Sequence, residues 1–122
     1  MSFTSIPDKV RFHVWLFAGG RCQYPGCNEP LWKDTLTMRT MNKAYLAHIV
    51  ADSPDGPRGD DVLSDQLKAD PDNIMLLCDT HHRLIDKVAV DEHPAELLRQ
   101  YKREHEERIE RQTSVHNSKR TL

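Results

Sequence analysis

Cysteine is scarce in this chain, with three residues in 122, and an odd number is wrong for a disulfide framework. Those thiols therefore call for another use, such as metal binding. Long apolar runs are missing too. None reaches the roughly 18–20 residues that a membrane span needs. Residues 14–18 (Val-Trp-Leu-Phe-Ala) are too short and too closely flanked by charge for a signal-peptide core. A cytoplasmic protein with no membrane partner is expected. An excess of basic charge is also lacking: 17 Lys and Arg face 19 Asp and Glu, for a net charge of −2. Nucleic acid cannot then be held by bulk charge. Any such role needs a local patch and a metal ion to offset phosphate charge. Arg11, Lys33, Arg39, Lys43, Arg58, Arg83 and Lys87 could build that patch, with Arg58, Arg83 and Lys87 the candidate DNA contacts. Taken singly, each reads as a solvated surface charge.

What is present fits one small α+β domain over residues 1–112, with a polar, frayed tail from 113 to 122. No internal repeat is visible. Residues 8–18 read as an opening helix, with Ser5 or Ile6 at the cap, Pro7 in the first turn and Gly19-Gly20 ending it. Val10, Val14, Leu16 and Phe17 are its expected apolar face. Residues 21–28 form a tight turn carrying two cysteines around Pro25-Gly26, and residues 31–41 hold a strand or part of one. A β-prone run at 45–50 delivers His48 near a strand end, and 52–61 is a loop. One or two helical turns are expected at 64–69, a turn at 70–73, a buried strand at 74–77 and a helix at 79–87. A last helix spans 93–109 with Pro94 in its first turn. Its apolar stripe is Leu97, Leu98, Tyr101 and Ile109, and the charges from Lys102 to Arg111 read as a solvated face.

Two constellations carry chemistry. Cys22 and Cys27 flank a Pro-Gly turn like half of a zinc knuckle, and Cys78 with His81 can supply the other half. Two close pairs of such ligands suit a tetrahedral structural zinc site. The same residues also read as ordinary thiols, Cys78 being a small core residue. The adjacent His82 leaves open which of the two histidines faces which metal.

The second constellation is His48, Asn73 and His82. Imidazoles suit proton transfer near neutral pH and bind divalent metals. Phosphodiester hydrolysis needs an activated water and charge stabilisation at the phosphate. His48 is the candidate general base. Asn73 can hydrogen-bond backbone or imidazole and so orient His48, and His82 is the candidate ligand for Mg²⁺ or Mn²⁺. Singly, each residue has an ordinary reading: a satisfied histidine, a turn asparagine, an exposed helix. Their order is what speaks for a site, and it resembles the ββα-metal core of the HNH endonucleases.

The resemblance sharpens along the chain. Ala47-His48-Ile49, residues 53–60 (Ser-Pro-Asp-Gly-Pro-Arg-Gly-Asp), residues 73–86, and Leu98, Lys102, His105 and Glu106 are similar to the nuclease module of HNH–SAVED effectors. Those effectors serve bacterial cyclic-oligonucleotide anti-phage systems (CBASS), and the similarity covers roughly residues 10–110. It implies a zinc-stapled knuckle with flanking N- and C-terminal helices. It implies a metal-dependent endonuclease acting on double-stranded DNA, with His48 as base, Asn73 as the middle asparagine and His82 as the final histidine. Cys22, Cys27, Cys78 and His81 map to the structural zinc. By the family alone, a homo-oligomer is expected. The resemblance also implies a cyclic-oligonucleotide sensor domain after the nuclease, which this chain does not contain, making 113–122 a tail or a linker toward it. Many HNH enzymes carry an acidic metal ligand just before the first histidine, where this chain has Ala47. Asp86, a loop acid such as Asp60, or only water and phosphate would then complete the metal's ligands. Alternative functions are a zinc-stapled DNA-binding or interaction module with a degenerate active site, and a restriction-type HNH nuclease cutting modified DNA.

Overall fold

The computed structural model describes residues 5–115. Helix α1 (Asp8–Phe17) leads into a long irregular stretch and then β1 (Tyr45–His48). The short α2 (Leu63–Leu67) and a 3-10 turn (Pro71–Asn73) precede β2 (Ile74–Leu77). Helix α3 (Asp79–Arg83) widens into a π-helical turn (Leu84–Val88), and α4 (Ala95–Thr113) closes the described chain. β1 and β2 pair antiparallel, Tyr45 opposite Leu77 and His48 opposite Ile74. The result is a small α+β fold. Among the described residues no helix is long and apolar enough to cross a membrane.

β2 is an unbroken apolar run because it is buried on both faces: Ile74, Met75, Leu76 and Leu77 are all fully buried. One edge pairs with β1. The other is met by Gln23, whose backbone N–H donates to Leu76 O at 2.9 Å and whose Oε1 accepts from Leu76 N–H at 3.0 Å. Around this strand pack Val14 and Ala18 of α1, Leu31, Ala47, Ile49, Ile85 and Leu98.

Helix α1 ends as its glycines predict. Gly19 and Gly20 take φ of 64° and 69°, and their N–H groups bond Leu16 O and Trp15 O. That pattern is a Schellman cap, which needs a left-handed residue that glycine supplies without a Cβ clash. Its start differs from expectation. Pro7 is the N-cap, at φ −57° and ψ 146°, rather than a first-turn residue. Pro94 is likewise the N-cap of α4. In both cases the extended ψ keeps the proline outside the helix while its carbonyl accepts the first bonds.

Other differences trace to which face each helix buries. The inner stripe of α1 is Val10, Val14 and Ala18, at four-residue spacing, whereas Leu16 and Phe17 are exposed, Phe17 stacking on His13. Residues 31–41 form no strand beyond a single Lys33–Thr40 bridge. Asp34 turns the chain there by accepting from Thr37 N–H and Oγ1–H at 3.0 and 2.6 Å. The stripe of α4 runs Leu98, Lys102, His105, so two of its supposedly solvated polar residues are buried. Lys102 bonds Glu106 at 2.5 Å, and His105 Nε2 donates to Ala18 O at 2.8 Å, tying α4 to the end of α1. α4 also extends through Thr113, where the tail was expected to begin, and residues 116–122 lie outside the described residues.

Candidate functional site

The β1–β2–α3 unit gathers both constellations at its ends. The residue after β2 is Cys78, the N-cap of α3, and one turn later comes His81. The knuckle of residues 21–30, docked on β2 through Gln23, brings Cys22 and Cys27 to them. Cys78 Sγ lies 3.2 Å from His81 Nδ1, Cys22 Sγ lies 3.7 Å from the same nitrogen, and Cys27 Sγ lies 4.0 Å from Cys78 Sγ. The four donor atoms all fall within 4.8 Å of one another. A tetrahedral ion with Zn–S near 2.3 Å and Zn–N near 2.1 Å separates its ligand atoms by about 3.6–3.8 Å. The cluster can therefore hold a metal ion such as zinc once its donor atoms draw together around it. Burial pushes the Cys22 and Cys78 thiols up, and their neighbouring sulfurs add to the cost of ionising them. A cation at the centre is what would stabilise several thiolates in so small a space.

Aromatic neighbours, unread in the sequence, brace this cluster. Tyr24, inside the knuckle, stacks on His81 with ring centres 4.5 Å apart and planes 5° from parallel. His93 Nδ1–H donates to Ala89 O at 2.8 Å, so its Nε2 accepts from Tyr24 O–H, also at 2.8 Å. Nothing local in the sequence links Tyr24 to His93, 69 residues away.

His81 and His82, adjacent in sequence, part company on α3. His81 belongs to the cysteine cluster. His82 instead stacks on Tyr45 of β1, centres 4.8 Å apart, with its Nε2 3.2 Å from Asp86 Oδ2. Of the acids weighed as companions for His82, Asp86 is the one beside it. Asp60 spends its Oδ2 on the Val62 and Leu63 N–H groups at the head of α2. Burial works to raise the Asp86 carboxyl, but hydrogen bonds from His82 and Arg58 outweigh it and hold the group below the ordinary carboxylate range.

His48, the last residue of β1, is 7% exposed. Its Nε2 lies 2.8 Å from Lys68 O. A carbonyl oxygen can only accept, so Nε2 carries the proton and Nδ1 is the unprotonated nitrogen of the neutral ring. Asn73 works beside it but not on it. Its Oδ1 accepts from Val50 N–H at 2.9 Å, and its two amide hydrogens go to Val50 O at 2.9 Å and Leu67 O at 3.2 Å. Both donors are spent on backbone, leaving none for the imidazole. Helices end with unpaired carbonyls. At the end of α2, His48 takes Lys68 O, and Asn73 shares Leu67 O with Asp70 N–H.

The three cations expected to meet DNA divide. Arg83 and Lys87 are exposed on α3 and its π turn, Arg83 pairing with Asp79 at 3.1 Å. Arg58 is turned inward, its side chain 6% exposed and bonded to Ile49 O, Ile85 O, His93 O and Asp86. Its guanidinium serves the interior instead of a phosphate. Comparison of the chain with protein-family models and with curated proteins gives no match.

Proposed function

We propose that this chain is a metal-dependent HNH-type endonuclease that hydrolyses DNA phosphodiester bonds with little sequence specificity. The observation that carries the reading is the state of His48. At the end of an antiparallel β–β–α unit, its ring is bonded through Nε2 to a backbone carbonyl, leaving Nδ1 as the nitrogen that can take a proton. A general base needs that tautomer held in place. His48 Nδ1 would accept the proton of the attacking water. Asn73 would act at one remove, by pinning the chain just after His48, at Val50, to the end of α2.

His82 and Asp86 would hold the catalytic Mg²⁺ or Mn²⁺. Their donor atoms stand 3.2 Å apart. Adjacent ligands of an octahedral ion with bonds near 2.1 Å stand about 3.0 Å apart, so the pair suits one edge of such an ion. When bound, the ion supplies the positive charge that stabilises the phosphate and the 3′ leaving oxygen. Products would carry 5′-phosphate and 3′-hydroxyl ends. Exposed Arg83 and Lys87 would meet flanking phosphates, without base-reading contacts. Cys22, Cys27, Cys78 and His81 would hold a structural Zn²⁺ that locks the knuckle to α3. The similarity of residues 47–49, 53–60 and 73–86 to HNH–SAVED modules supports a role as the cytoplasmic effector nuclease of a cyclic-oligonucleotide defence system, gated by a sensor domain.

A second reading, a zinc-stapled DNA-binding module without activity, is favoured by Ala47. That position, acidic in many HNH enzymes, is 1% exposed within the core here. Plasmid cleavage decides between them. Wild type should cut in Mg²⁺ or Mn²⁺, stop in EDTA and recover when Mg²⁺ is restored. His48→Ala, at matched zinc content, should lose at least about 100-fold in rate. Folded, zinc-loaded wild type that binds DNA and never cuts, even with a sensor domain supplied, would favour the binding module.

A further inference from the structure

Arg58 makes more long-range polar connections than any side chain of the catalytic constellation. Its Nε donates to Ile49 O at 2.6 Å, one residue past His48. Its Nη1 donates to Ile85 O at 2.9 Å and His93 O at 3.4 Å, and its Nη2 to Asp86 Oδ1 at 2.5 Å. Those acceptors come from the chain after β1, from the π turn after α3 and from the segment just before α4. The loop that carries Arg58 is shaped to send it inward. Ala51 N–H bonds Pro57 O, Gly56 N–H bonds Ser53 O, and Gly59 N–H bonds Gly56 O. Arg58 itself sits at φ 58°, a left-handed conformation that a long side chain rarely adopts.

We propose that Arg58 is a positioning residue for the nuclease centre: it clamps the chain after His48 to the π turn of α3 and aims the Asp86 carboxylate at His82. The inference rests on the nuclease reading above. Asp86 divides its oxygens, Oδ1 to Arg58 and Oδ2 to His82. With Oδ1 engaged, Asp86 presents a single oxygen beside His82 Nε2. Only arginine has the planar fork that reaches a carboxylate and three carbonyls at once; a lysine ammonium in the same place is one point of attachment. The clamp thus sets the distance between the base, on β1, and the metal-binding pair, on the helix side.

Arg58→Lys tests this, with far-UV circular dichroism and zinc content as checks on folding. Mn²⁺ binding is read by electron paramagnetic resonance, independently of activity, and DNA cleavage is read as kcat and KM. The proposal expects Mn²⁺ affinity and kcat each to fall about tenfold or more, with KM for DNA within about twofold of wild type. A folded, zinc-loaded Arg58→Lys with wild-type Mn²⁺ affinity and kcat would overturn it. So would a raised KM at unchanged kcat, which would make Arg58 a phosphate contact. Wild type that neither binds Mn²⁺ nor cleaves would remove the nuclease reading, and this proposal with it. If Arg58→Lys does not fold, the Arg58 Nε–H resonance of wild type answers instead. It should shift with the His82 imidazole as Mg²⁺ is added, and a resonance that stays still while His82 moves would overturn the clamp.

Discussion

Asn73 and His105 show how a single polar side chain can hold two elements together from inside. Asn73→Ala would leave Val50 N–H and O without their partner in a buried setting, while Leu67 O would keep its bond from Asp70 N–H. An unsatisfied buried group costs about 1–3 kcal/mol, so the variant should lose at least about 2 kcal/mol of stability in urea unfolding. Unchanged stability with a slowed reaction would mean that Asn73 acts on His48 after all. His105 makes a pH prediction. Burial, joined by the nearby Arg108 and Lys102 and opposed by the Ala18 bond and Glu106, holds its imidazole below the usual histidine range. Arg108 donates to Nδ1 and Nε2–H donates to Ala18 O, an arrangement that requires the neutral ring. The stabilising contribution is therefore full above the unfolded value, about 6.5. It is lost as pH falls from there through the lower folded value, because the unfolded chain takes up a proton that the folded one refuses. His105→Gln, which keeps a donor for Ala18 O, should flatten the fall in stability between about pH 6.5 and 5. Neither role is written in the sequence: an asparagine after Asp-Pro-Asp looks like a turn residue, and a histidine among Glu and Arg looks solvated.

At the scale of elements, the loop of residues 52–61 holds neither helix nor strand, yet it organises the site. It places Arg58 inside the fold and Asp60 at the head of α2, whose far end holds His48 and Asn73. Its compactness depends on Gly59, where an added Cβ would lie 2.2 Å from Pro54 O, a backbone atom that cannot swing aside. Gly59→Ala should cost about 1–3 kcal/mol or more, as overpacking does, and should release Arg58 from Asp86. Unchanged thermal unfolding would show the loop to be looser than its hydrogen bonds indicate. The sequence marks this segment as a loop through its Pro and Gly. It cannot mark the inward turn of Arg58, because the acceptors lie 9, 27, 28 and 35 residues away.

For the whole molecule, the cysteine cluster adds to the Gln23 bonds and the core a tie between the N-terminal third and the β–β–α unit. Cys22 and Cys27 are joined through it to Cys78 and His81, which lie 51 and 59 residues further along. A chain this small has a limited core to hold such distant parts together. Stripping the metal with a strong chelator should lower the midpoint of thermal unfolding by more than about 10 °C, and Cys78→Ser should do the same without chelator. An unchanged midpoint in both would mean that the cluster is three thiols and an imidazole at rest.

The sequence alone determined what depends on local spacing and residue chemistry. The helix stop at Gly19-Gly20, the buried strand at 74–77, the Cys22/Cys27 and Cys78/His81 pairs, and the absence of a membrane-length apolar helix among the described residues are all of that kind. Each rests on residues within a few positions of one another, where backbone preference and ligand type leave little freedom. Tertiary structure decided the rest. It separated His81 from His82, chose Asp86 over Asp60 as the companion of His82, and set the tautomer of His48 through Lys68 O. It also buried Arg58, Lys102 and His105 where their charge or polarity suggested solvent. The physical reason is the same in each case: a polar side chain goes where a complementary partner stands. These partners, backbone carbonyls for His48, Arg58 and His105 and carboxylates for His82 and Lys102, are brought within reach only by the folded chain.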